Sequence, residues 1–235
     1  VYIGSHSGEF ACLERASGAV RWVCTLPDRI ESSAAVALGG ALVLVGCYDG
    51  CVYALHTADG QVAWRHATGG EVKASPCVAI RAWAVAPSRA AAAAGEAEGL
   101  GGAHAVEVEG AETVWCGSFD QHLYALDART GTCLLRLALG AAIFSSALVV
   151  AAPHPDRAQT GHATAHAATD ARAEARGGAL LVCCATLKGR VVAIDAVSHD
   201  PHWSAEVGHA VFAALRADAS AGVLLVASVL SLIHI

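Results

Sequence analysis

The stretch Gly117-Ser-Phe-Asp-Gln-His-Leu-Tyr-Ala-Leu-Asp127, followed by Thr130-Gly131, decides the fold. It reads as a small residue closing one apolar strand, a polar turn, a second apolar strand, and a Gly turn. Gly4 to Trp22, Gly46 to Trp64 and Ala185 to Trp203 align with Gly117 to Leu135 without gaps. In each, a second apolar run sits midway: Phe10 to Leu13, Val52 to Leu55, Leu123 to Leu126 and Val191 to Ile194. Ten residues beyond the aromatic, or Leu135, comes a small pair: Ser32-Ser33, Ala74-Ser75, Ser145-Ser146 and Ala213-Ala214.

The first repeat spacing, Gly4 to Gly46, is 42 residues, and a further 42 from Ala185 reaches Ala227, again after an apolar run. Short β-rich runs with Gly turns at this period are the mark of a β-propeller, one four-stranded blade per repeat. Ser7-Gly8, Tyr48-Asp49-Gly50, Ser17-Gly18 and Asp59-Gly60 supply turn chemistry. A helical solenoid would show 3.6-residue spacing and few mid-repeat glycines.

The expected fold is therefore all-β: a partial propeller spanning 1–235, with three full blades and parts of two more. Strand one is expected over Ser32 to Ala37, strand two over Leu42 to Gly46, strand three over Cys51 to His56 and strand four over Gln61 to Arg65. By this register the chain opens at strand two of one blade and ends within strand two of another, which reads as a fragment of a larger protein. The blade motif residues are Gly4, Trp22, Gly46, Trp64, Gly117, Leu135, Ala185 and Trp203. The three tryptophans are expected to cover seams between blades, with Leu135 docking more weakly.

Two inserts break the period, at 80–112 and 151–178. Gly46 to Gly117 spans 71 residues and Gly117 to Ala185 spans 68, the excess lying between strands one and two. Both inserts lack periodic apolar faces and are expected as surface loops. Residues 229–235 run apolar without the expected turn and form an atypical tail.

Composition narrows the function classes. The net charge is -6 with no basic cluster, which argues against nucleic acid. Every apolar run is too short for a membrane helix, and no signal peptide is visible. Nine cysteines, mostly within strand-like runs, fit buried reduced thiols in a cytoplasmic protein.

The pattern of apolar run, Gly-Ser, turn, Tyr-Ala-Leu-Asp, Thr-Gly and Trp resembles the quinoprotein, or pyrroloquinoline-quinone-type, propeller repeat. Val1 to Ser7, Asp28 to Ala34, Val45 to Tyr48 and Ser118 to His122 further resemble the C-terminal propeller of beta-alanine-activating enzymes, within the acyl-CoA synthetase family. The resemblance implies a parent that activates beta-alanine with ATP and passes it to a phosphopantetheine carrier. No residue of this chain matches either of those parts. The expectation is a non-catalytic module with no catalytic, cofactor-binding or metal residue, its partner being another domain of its own chain or another protein. A quinone-dependent dehydrogenase propeller and a free-standing scaffold propeller, as in bacterial outer-membrane assembly, are the alternatives.

Individual residues leave choices open. Cys183-Cys184 could form the vicinal disulfide of quinone dehydrogenases, but strand neighbours point to opposite faces and two reduced thiols are expected. The chain has no Asn and no clustered acids for Ca²⁺ beside a quinone. His154, His162 and His166 could gather a metal, against an unstructured Ala-rich segment. Cys47 and Cys51 lack the second pair of a zinc site. His6 and His122 are expected in turns between strands two and three, as ordinary polar groups or as ligand contacts. The small pairs fit close approach at the propeller axis without any ligand.

Overall fold

The computed structural model describes residues 1–80, 111–151, 180–218 and 222–228. Among these residues, five antiparallel sheets follow one another in chain order. The first holds β1 (Tyr2–Gly4), β2 (Glu9–Leu13) and β3 (Val20–Thr25). The second holds β4 (Ala35–Ala37), β5 (Leu42–Gly46), β6 (Cys51–His56) and β7 (Val62–Ala67). The third holds β8 (Cys77–Ile80), β9 (Glu112–Gly117), β10 (His122–Asp127) and β11 (Cys133–Ala138). The fourth holds β12 (Leu148–Ala151), β13 (Leu180–Ala185), β14 (Arg190–Asp195) and β15 (Pro201–Glu206). β16 (Arg216–Asp218) and β17 (Val223–Leu225) make the fifth. This is the expected partial propeller, three four-stranded blades flanked by two partial ones.

Each blade pairs its strands in sequence order, so every connection within a blade is a local hairpin or insert. Both inserts join strands one and two, β8 to β9 and β12 to β13, as the repeat arithmetic requires. Most of their residues, including His154, His162 and His166, lie outside the described residues, as does the tail 229–235. The same irregularity recurs between strands three and four, at Cys12/Leu13, Ala54/Leu55, Ala125/Leu126 and Ala193/Ile194. A bulge at one register position in four blades adds the same local twist to each.

Sandwiched between successive sheets are four apolar cores. Phe10, Cys12 and Trp22 meet Val43, Val45 and Tyr53 at the first seam. Leu44, Val52 and Trp64 meet Val114, Tyr124 and Leu126 at the second. Trp115, Leu123 and Ile143 meet Val182, Val192 and Ile194 at the third. Strands buried on both faces must be apolar throughout, which is why β5 and β13 read as continuous runs rather than alternating ones.

Three expectations need correction. Strand one of the second sheet covers only Ala35–Ala37, because Ser32 turns its hydroxyl onto the Gly46 backbone instead of joining the ladder. Strand four is Val62–Ala67, shifted toward the C-terminus from its expected bounds. His122 does not sit in the turn; it is the first residue of β10. Among the described residues, no helix is long and apolar enough to cross a membrane.

Candidate interaction face

The motif glycines sit where strand two runs under the next strand-four-to-strand-one connection. A Cβ on Gly46 would come 2.5 Å from Val72 Cγ1, and on Gly4 or Gly117 it would collide with Ile30 or Ile143. The crossing is fixed by one backbone bond per blade: Ile30 N–H to Ser5 O at 2.9 Å, Val72 to Cys47 at 3.1 Å, Ile143 to Ser118 at 3.2 Å and Val211 to Thr186 at 3.4 Å. The longest of the four belongs to the blade in which Ala185 replaces glycine.

Trp22 and Trp64 do cover seams. The Trp22 indole N–H donates to Thr57 O and that of Trp64 to Ala128 O, both at 2.9 Å. Their rings lie on the turn glycines Gly60 and Gly131 of the next blade. At the third seam both partners change: Leu135 stands for the Trp and His199 for the Gly, its ring meeting Trp115 edge-on at 5.5 Å. A shallow cleft of about 210 Å³, lined by Leu137, Arg190, Val192 and Ile194, marks this seam. Trp203 departs from expectation. It is 39% exposed, because the fifth sheet has no described strands three and four to carry a turn beneath it.

The small pairs act structurally, as the sequence suggests. Ser33 N–H donates to Ser75 Oγ at 2.8 Å and Ser75 N–H to Ser146 Oγ at 3.3 Å, linking three blades around the axis. The cysteines are free thiols. Cys183 and Cys184 point into different cores, one on each side of β13. Burial pushes the Cys77 and Cys184 thiols up to about 12, which removes thiolate reactivity at neutral pH. Among the described residues, no three His, Cys, Asp or Glu side chains are placed to hold a metal.

Asp120 anchors the turn between β9 and β10. Its carboxylate accepts from Tyr124 Oη at 2.5 Å, Gly69 N–H at 2.9 Å and His122 N–H at 3.1 Å. Burial works to raise its pKa, but these donors outweigh it and hold the carboxyl below its ordinary value. Asp49 binds Tyr53 in the same way one blade earlier. These carboxylates brace their turns.

What the turns present outward is more distinctive. Two positions per repeat share one end of the propeller: the second residue after the motif glycine or Ala185, and the residue just before the small pair. In chain order they are His6, Glu31, Tyr48, Lys73, Phe119, Phe144, Leu187 and Phe212. Neighbours in this series touch across the blades. His6 Nε2 lies 3.5 Å from Glu31 Oε1. Burial first, then the Glu31 carboxylate, pushes the Tyr48 hydroxyl up to about 12. Lys73 Nζ lies 4.6 Å from the Tyr48 ring centre and 3.9 Å from that of Phe119. Phe119 meets Phe144 edge-on at 6.3 Å, and Phe144 meets Phe212 at 5.5 Å. Of the expected histidines, His6 belongs to this series, while His122 is folded against Asp120. Sequence reading missed the series because its members lie far apart in the chain and differ from repeat to repeat.

Residues 1–115 match the family model described as outer membrane protein assembly factor BamB. The chain is 53% identical over 55 residues to the beta-alanine-activating enzyme of Homo sapiens, covering 23% of this chain and 5% of that protein. Against the beta-alanine-activating enzyme of Drosophila melanogaster it is 36% identical over 76 residues, 32% of this chain and 7% of that one. The chain thus spans a small fraction of these curated relatives. Among solved structures, BamB from Moraxella catarrhalis superposes with a TM-score of 0.60 at 16% identity, over 97% of this chain and 51% of that one. The computationally designed Ika8 protein gives 0.57 at 15% identity, over 97% and 55%. At such identities the structural likeness speaks for the fold alone, and that fold is a β-propeller of four-stranded antiparallel blades.

Proposed function

We propose that the chain is a non-catalytic propeller of a beta-alanine-activating-enzyme-like protein, serving as an interaction or substrate-presenting module. The observation that carries this reading is the stretch 53% identical to the human enzyme, far above the 16% shared with the BamB structure. In this reading ATP and phosphopantetheine belong to other parts of the parent, which activates beta-alanine and transfers it as a thioester. This part uses no cofactor, acts in the cytoplasm, and meets a domain of its own chain or a separate protein. A propeller suits that task because its turns hold side chains on a rigid ring of sheets.

The deciding experiment is to read the coding sequence upstream of Val1. An adenylation segment followed by a carrier segment is the expected result, and a lipoprotein signal in their place would overturn the reading. The match of residues 1–115 to the BamB model favours that second outcome, a scaffold propeller of outer-membrane assembly. Titration with pyrroloquinoline quinone and Ca²⁺ addresses the dehydrogenase alternative. Stoichiometric chromophore binding with dye reduction would replace the proposal.

A further inference from the structure

The outward series of turn residues is built by the repeat but not required by it. The same backbone bond seats it in successive blades, from Tyr48 N–H to Arg29 O at 3.1 Å, Phe119 to Glu71 at 2.9 Å and Leu187 to Ala142 at 2.9 Å. At the start of the series these two positions hold the polar His6 and Glu31, 3.5 Å apart; further along they hold Phe119, Phe144 and Phe212. Since the blade forms with either set, core packing does not demand phenylalanine there. Yet three of the four phenylalanines in the chain gather at this spot, and Phe212 is 48% exposed. Solvent contact of this kind costs solubility unless the patch has an occupant.

The charge around the patch says what kind. The chain carries -6 overall and contains two lysines, and both sit on this end of the propeller. Lys73 lies against Phe119 on one side. Lys188 is exposed in the turn between β13 and β14, directly after Leu187. Three carboxylates share the neighbourhood, the first of them Glu31 beside Tyr48. Glu71 lies 3.5 Å from Lys73, and Asp120 is engaged by Tyr124 and Gly69. The result is an aromatic platform with the half-buried Lys73 packed on Phe119 and the exposed Lys188 in the turn after Leu187, in a chain of net charge -6.

We propose that Phe119, Phe144 and Phe212, flanked by Lys73 and Lys188, form a docking surface for an acidic peptide segment bearing an aromatic or leucine side chain. The apolar side chain seats on the edge-to-face rings, and the carboxylates of the segment reach the two ammonium groups. Aromatic anchors in the middle with charges at the rim is the arrangement that gives interfaces both affinity and selectivity. The proposal rests on the reading of the propeller as an interaction module and names the surface that does the work.

Fluorine NMR tests it directly. The 235-residue chain labelled with 4-fluorophenylalanine gives four signals, of which the fully buried Phe10 is an internal control. The probe is the synthetic peptide acetyl-Glu-Asp-Trp-Asp-Leu-Glu amide, titrated below the onset of self-association. The Phe119, Phe144 and Phe212 signals are expected to shift while Phe10 stays. Phe212→Ser, an exposed site, should abolish the shifts of the other two, and Lys73→Gln with Lys188→Gln should weaken binding about tenfold. Absence of shifts up to about 1 mM peptide would overturn the proposal. So would equal binding of a peptide with Lys for its acids or Ala for its Trp and Leu. Upstream coding sequence without adenylation or carrier segments would defeat the parent reading and leave this titration standing. A natural partner whose binding ignores Phe212→Ser would defeat the docking surface and leave the module reading standing.

Discussion

Gly131 shows how much a single hydrogen atom decides. It lies at a φ of +72°, and a Cβ there would come 2.5 Å from Cε3 of Trp64. Gly18 has the same φ of +72° but opens onto empty space. Gly18→Ala should therefore cost about 1 kcal/mol of backbone strain. Gly131→Ala should cost more, about 1–3 kcal/mol, because the indole must also leave Ala128 O. Urea unfolding of the two variants separates the contributions. Asp120 offers a second test at this scale. A carboxyl held below its ordinary pKa stabilises the fold above the unfolded value near 3.9, and that stability is lost as pH falls through the lower folded value. Asp120→Asn should lower stability by about 1–3 kcal/mol at neutral pH, since a neutral amide serves its donors less well. It should also flatten the acid limb of a pH–stability curve; an unchanged limb would remove Asp120 from the account.

At the scale of the element, the third seam is a natural double substitution. Trp over Gly holds the first two seams, and Leu135 beside His199 holds the third. His199 adopts a φ of +65°, the conformation that Gly60 and Gly131 adopt without strain. Leu135→Trp alone should destabilise, its ring meeting the imidazole. Combined with His199→Gly it should recover, with a coupling of at least about 1 kcal/mol in a double-mutant cycle. Additive effects would show that the two positions do not share a seam. This exchange also marks what could be read in advance. Strands two and three of the second sheet run as the apolar pattern dictates, and the exchange of Trp for Leu135 is visible in the repeat itself. The fate of Trp203 was not legible, since a covering side chain is buried only by what lies beneath it. Nor was the phenylalanine platform, because a period detects what repeats, and these positions matter where they stop repeating.

At the scale of the molecule, the arc of sheets leaves two outer faces uncovered among the described residues. Val1, Ile3, Val20 and Val23 are exposed on the first sheet, and Trp203, Val223 and Leu225 at the other end. As an isolated polypeptide, the chain should self-associate through these faces and edges. Sedimentation velocity across a concentration series is the check, and a single monomeric species throughout would contradict it. Trp203→Glu should weaken the association by charging one of the two faces.

The forward reach of each seam has a consequence for synthesis. Trp22 finds its acceptor at Thr57, and Trp64 waits for Ala128, beyond the first insert. A nascent blade therefore cannot latch until the ribosome has delivered the one after it. Such a chain should mature as a travelling front, always one repeat behind the exit tunnel, with the insert after β8 imposing its longest pause.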